Sequence, residues 1–169
     1  MYWQEEIETL PRPELERLQG RRLAQSVARA KAAPFYARRL AGVDPAGLRR
    51  PQDVARLPFT TKDDLRAAFP YGLLAAPQSQ AVRLHASSGT TGAPTAVYHT
   101  KRDLQTWANL VARSLYMAGV RPGDVFQNLA GYGLFTGGLG MHYGAERLGA
   151  LVIPSGTGNS RRQVALMRQ

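Results

Sequence analysis

Six consecutive positions, Ser87-Ser88-Gly89-Thr90-Thr91-Gly92, hold four hydroxyl residues and two glycines, and they lie between two stretches of strand-like character. Ala81-Val82-Arg83-Leu84-His85-Ala86 alternates on one side, and Thr95-Ala96-Val97-Tyr98 follows on the other. So dense a run of turn formers interrupts regular structure, which predicts a hairpin-like strand–loop–strand. Thr100 then precedes the clearest helix of the chain, in which Leu104, Trp107, Ala108, Val111, Leu115 and Ala118 share one face. Gly119 lies where a left-handed helix terminus favours glycine. Val125-Phe126-Gln127-Asn128-Leu129 reads as a buried strand, followed by a helix over about 138–148 and the strand Ala150-Leu151-Val152-Ile153. A loop over 154–160 leads to a last helix near Arg161. Strands alternating with helices predict an α/β layer with parallel strands, whose ligands bind beyond the strands' carboxyl ends.

The first eighty residues have a different texture. Leu15, Leu18, Leu23, Val27 and Ala30 form a helical stripe among arginines and glutamates, and Pro34 ends that segment. Phe35-Tyr36-Ala37-Arg38-Arg39-Leu40 reads as a further short helix, and Gly42, Pro45, Gly47 and Pro51 punctuate a connecting loop. Thr61 and Asp64 have the spacing of a capping box. The expected organisation is a helical segment over 1–80 and an α/β part over 81–169.

Composition narrows the partners. A hydrophobic content of 44% supports a packed core rather than a disordered chain. No apolar run is long enough to span a membrane, so no membrane partner is expected. The N-terminus lacks the order of a secretion signal, and the default address is cytoplasmic. With no cysteine there is no disulfide, thiolate metal site or cysteine nucleophile. The net charge of +10 is spread over singles and pairs such as Arg21-Arg22, Arg38-Arg39 and Arg161-Arg162. A polybasic tract is absent, so the charge reads as solvated helix faces, and no nucleic-acid partner is expected.

Glycines in the 87–92 run let the backbone fold close around a ligand, and the hydroxyls add compact donors, a combination suited to a polyphosphate. Composition alone equally suits an ordinary hairpin turn. Two better-known nucleotide signatures fail: Gly92 is followed by Ala93-Pro94 rather than Lys-Ser/Thr, and Gly131-x-Gly133 meets Thr136 where a glycine is required. Ser87 and Ser88 are no hydrolase nucleophiles, since Gly-x-Ser-x-Gly is missing. His85, His99 and His142 are well separated in sequence, lack zinc-type spacing and read as structural; His85, just before the loop, can orient it. Trp107 and Val111 read as core.

The order Ser-Ser-Gly-Thr-Thr-Gly-Ala-Pro-Thr resembles the phosphate loop of the adenylate-forming superfamily. Within it, three stretches are similar to phenylacetate–CoA ligases: Leu57 to Arg66, His85 to Gly92, and Tyr132-Gly133-Leu134-Phe135-Thr136-Gly137-Gly138-Leu139-Gly140 with His142 to Gly149. The match runs in order from about residue 2 to the end. It implies that residues 1–80 are the helical opening and 81–169 the first part of the large N-terminal domain, with an incomplete sheet.

The resemblance also implies chemistry. Such enzymes use ATP, Mg²⁺ and coenzyme A to convert an aromatic acid to its thioester through an acyl-adenylate, and they are commonly homodimeric. Ser87, Ser88, Gly89, Thr90, Thr91 and Gly92 would hold the β- and γ-phosphates, with Thr90 and Thr91 the main hydroxyl contacts. Tyr132, Gly133, Phe135, Thr136 and Gly137 would line the acid's pocket, although Tyr132 and Phe135 also suit ordinary core between strand and helix. No metal ligand is assigned in this chain, and the catalytic lysine is expected beyond Gln169. Ala93 departs from the family, which commonly carries lysine there, and a missing charge beside the triphosphate would loosen ATP binding. A non-catalytic nucleotide-binding or interaction module built on the same fold is the alternative.

Overall fold

The computed structural model describes residues 2–87 and 95–168. Its helical opening contains α1 (Glu5–Glu8), α2 (Arg12–Ala30), α3 (Pro34–Arg39) and α4 (Lys62–Ala67). The stripe expected on α2 buries Val27, which packs with Leu40 and Leu48 in a small core bordered by Leu23, Ala30 and Tyr36. Pro34 opens α3 rather than closing the helix before it, consistent with its preset φ and missing N–H. Gly20 lets α2 press onto the carbonyl of Arg49, where a Cβ would collide. Asp53 fixes that turn by accepting bonds from the amides of Arg49 and Arg50 at 2.8 and 2.9 Å. The capping box of α4 is present: Asp64 N–H donates to Thr61 Oγ1 and Thr61 N–H to Asp64 Oδ2.

The α/β part begins with an antiparallel hairpin, β1 (Ala81–Ala86) and β2 (Ala96–Thr100), in which Leu84 faces Tyr98 and His85 faces Val97. Next come α5 (Lys101–Met117), β3 (Val125–Gln127), α6 (Gly137–Leu148), β4 (Leu151–Ile153) and α7 (Ser160–Met167). Strands β3 and β4 are parallel, with Phe126 opposite Val152. Each sheet has two strands among the described residues. Residues 125–129 do not form the buried strand expected: β3 is shorter, and Val125 is 62% exposed. Helices cover only one face of the pair, so Phe126 and Val152 point to the core while Val125 and Leu151 do not.

The main core lies between α5, α6 and β4 and holds Ala112, Leu115, Ala145, Leu148 and Ala150. Thr100 and Asp103 form the capping box that starts α5. Gly140 and Gly144, one turn apart on α6, face Trp107 and Val111, one turn apart on α5. A Cβ on Gly140 would lie 2.6 Å from the indole, and one on Gly144 would overlap the Val111 side chain. Glycine is thus required for the helices to approach this closely. The opening residues dock on the outside of α5. Asn109 Oδ1 accepts from Trp3 Nε1, Asn109 Nδ2 donates to Gln4 Oε1, and Arg113 pairs with Glu8 at 3.4 Å. No helix among the described residues is long and apolar enough to cross a membrane.

Gly144→Ala should therefore overpack the helix pair and lower unfolding free energy by roughly 1–3 kcal/mol. Gly133→Ala, whose Cβ meets nothing within 4 Å, should change it by less than about 0.5 kcal/mol. Urea denaturation of the two variants side by side checks the contrast.

Candidate functional site

The parallel strands end at Asn128, a buried side chain with every polar atom engaged. Its Nδ2 donates to the Gly138 carbonyl at 2.8 Å and to the Tyr132 hydroxyl at 2.7 Å, and its Oδ1 accepts from Ala130 N–H. Its backbone carbonyl takes the Gly156 amide and the Ser155 hydroxyl. The loop after β3 is thereby pinned to the start of α6 and to the end of β4. The Tyr132 hydroxyl continues the chain of bonds to His142 Nδ1 at 3.1 Å, and His142 Nε2 meets Glu146 Oε1 at 3.1 Å. All four groups are satisfied when Nε2–H donates to the carboxylate and the tyrosine O–H donates to Nδ1.

Three rings meet under the hairpin. His85 is 3% exposed and stands edge-on to Trp107 and to His99, at centroid separations of 5.3 and 5.5 Å. His99 stacks on Trp107 at 5.6 Å. The two histidines, well separated in sequence, are therefore brought together by the antiparallel register. His85 Nδ1 lies 2.9 Å from the Leu134 carbonyl, which also accepts the Ala86 amide at 3.2 Å. Among the described residues His85 Nε2 and His99 Nδ1 are buried and have no hydrogen-bond partner.

At the end of β1, Ser87 is used as a clamp. Its N–H donates to the Thr95 carbonyl, and its Oγ accepts from Thr95 N–H and Oγ1–H at 3.1 and 3.0 Å. Its own hydroxyl hydrogen is left to donate elsewhere. Ser88, Gly89, Thr90, Thr91 and Gly92, with Ala93, lie outside the described residues.

Of the residues expected to line an acid pocket, Phe135 is 69% exposed and Tyr132 38%, so neither is core. Gly137 packs against the Phe135 ring, while Gly133 borders open space. Thr136 precedes α6 without capping it through its side chain. The loop that carries them is joined to the end of β1, at His85 and Ala86, through the Leu134 carbonyl. Sequence reasoning missed Asn128 and Leu134. An asparagine at a strand's end, four before a tyrosine, was a usable signal, whereas a backbone acceptor leaves none. Among the described residues no group of three or more metal-ligating side chains comes together. A separate groove of about 1070 Å³ lies between α2, residues 68–77, β2 and α5.

The chain superimposes on 2-hydroxyisobutyryl-CoA ligase, solved in complex with 2-HIB-AMP and CoA, with a TM-score of 0.86 and 37% identity. That match covers 99% of this chain and 37% of the other. The fold is thus that of part of an adenylate-forming acyl-CoA ligase. Within that class, its sequence relatives are phenylacetate–coenzyme A ligases. The Thermus thermophilus enzyme is 54% identical over 99% of this chain, and the Escherichia coli K12 enzyme 50% over 96%. The Pseudomonas putida enzyme is 56% identical over 80%. The chain is a homologue of the phenylacetate–CoA ligases and spans 38% of the length of the Thermus and Escherichia enzymes. No protein-family model matches it.

The ring cluster has a consequence for acid stability. Burial, with His85 and Arg83 nearby, holds the His99 pKa below the ordinary 6.5, against opposing pulls from Asp103 and the Val97 backbone. A lowered histidine pKa means that the unfolded chain binds more protons. Its contribution is intact above pH 6.5 and is lost as pH falls below it. Asp53, Asp64 and Asp103 are also lowered, from 3.8, and backbone amides that donate to them favour the ionised form. They matter only as pH drops below that value. Unfolding curves should show stability declining below about pH 6.5, and His99→Phe should flatten that upper step while leaving the part of the acid limb due to Asp53 and Asp64 in place.

Proposed function

We propose that this chain forms the phosphate-loop and acid-loop portion of an ATP-dependent acid–CoA ligase acting on phenylacetate or a related aromatic acid. The carrying observation is 54% identity to a phenylacetate–CoA ligase across nearly the whole chain. The local geometry agrees with it. The end of β1, at His85 and Ala86 just before Ser87, bonds to the 131–137 loop at the Leu134 carbonyl. Loops so joined would present a triphosphate and an acid to each other, which is what adenylate formation demands.

In this reading Ser87, Ser88, Gly89, Thr90, Thr91 and Gly92 donate to the β- and γ-phosphates, stabilising charge on departing pyrophosphate. Mg²⁺ would reach the site with the triphosphate. Phe135 and the ring of Tyr132 flank the acid, with Gly133, Thr136 and Gly137 giving it room. The Tyr132 hydroxyl, held between Asn128 and His142, orients its ring rather than contacting substrate. The acid carboxylate attacks the α-phosphorus and displaces pyrophosphate; the thiol of CoA then displaces AMP. The ligase works in the cytoplasm, as a homodimer, and its catalytic lysine lies outside these residues.

The ligase containing these residues should release pyrophosphate from ATP only when an aromatic acid is present. Thr90→Ala with Thr91→Ala should lower kcat/KM for ATP by about 10²–10³-fold, the scale for losing preorganised donors. The 169-residue chain by itself should yield no acyl-CoA. Coupled pyrophosphate and thioester assays check all three expectations. ATP binding without turnover by the complete ligase would favour a non-catalytic module, as the alanine at 93 allows.

A further inference from the structure

The loop over 131–136 carries the proposed acid contacts yet has no regular structure. Asn128 holds its first part through the Tyr132 hydroxyl. Across residues 131–135 the one backbone atom seen to hydrogen-bond, among the described residues, is the carbonyl of Leu134. Both of its donors come from β1: the Ala86 amide and the His85 imidazole. The Leu134 side chain, by contrast, is exposed and contributes little packing.

The imidazole is itself rigidly seated. Trp107 and His99 hold it edge-on from two sides, and Trp107 occupies the space that Gly140 leaves open on α6. A carbonyl can only accept, so Nδ1 carries the proton and Nε2 keeps a bare lone pair. Among the described residues that lone pair has no donor. The hydrogen bond that the imidazole makes among them is the one from Nδ1 to the Leu134 carbonyl.

We infer that His85 is a positioning residue: its Nδ1–H, given to the Leu134 carbonyl, fixes the 131–136 loop against the end of β1. It thereby sets where an aromatic acid sits relative to the hairpin. The positional part stands on geometry alone; the effect on the acid rests on the function proposed above.

Two substitutions separate the donor from the ring. Asparagine places an amide N–H near the position of Nδ1, whereas phenylalanine keeps the ring's shape and removes the donor. In the 169-residue chain, long-range ¹H–¹⁵N spectra should show His85 as the Nδ1–H tautomer. His85→Phe should speed exchange of the Ala86 amide about tenfold and lower backbone order over 132–136, the scale expected for one lost hydrogen bond. His85→Asn should restore both. In the complete ligase, His85→Phe should raise KM for phenylacetate about tenfold while kcat and KM for ATP change little, again with rescue by asparagine. An Nε2–H tautomer, or equal loop order in the wild type and both variants, would overturn the inference. If the loop responds as expected but the wild-type ligase activates no aromatic acid, the positioning stands and the functional reading falls.

Discussion

Everything in the α/β part depends on how closely two helices approach. Gly140 and Gly144 remove the side chains that would hold α6 off α5, and Trp107 and Val111 fill the space. A single methyl group at either glycine meets atoms already in place. The same contact seats the indole against His85 and His99, so helix packing and the ring cluster are one structure. His85 then passes that rigidity to the Leu134 carbonyl. A constraint set in the core is felt, two contacts later, in an exposed loop.

The polar anchors follow the same logic from the other side. Asn128 is buried, and burying an amide is tolerable only when its donors and acceptor are met. Its Nδ2 donates to the first turn of α6 and to Tyr132, its Oδ1 accepts from Ala130 N–H, and its backbone bonds to Ile153 and Gly156 at the end of β4. The loop that begins there is tied at its first turn by Asn128 and in its middle by His85. Just past the second tie Phe135 is free to face solvent, or a ligand.

Much of this was legible in the sequence because the signals were local. The capping box at Thr61, the start of α5 after Thr100, the stripes of α2 and α5, the pairing of β1 with β2 and the positive φ of Gly119 each depend on residues near one another in sequence. Gly140 and Gly144 were given no role from the sequence, because their approach to Trp107 and Val111 is a contact between two helices that no local pattern shows. Strand register paired His85 with the neighbourhood of His99, and no spacing rule reveals that. The Leu134 acceptor is backbone, equal in every residue, and so invisible to composition. The phosphate-loop residues from Ser88 to Gly92 were read only from their order and likeness.

Burial of β3 was overestimated for a reason that bears on the whole sheet. A parallel strand in an α/β layer is expected to be covered on both faces, but among the described residues a two-stranded pair packed on α5 and α6 has only one covered face. Val125 and Leu151, opposite each other in register, are left on the uncovered side at 62% and 64% exposure. Isolated two-stranded pairs are marginal in water, so neither sheet organises this part of the chain. The helix pair does, and the strands serve mainly to deliver Ser87 and Asn128 to the places where the two loops begin.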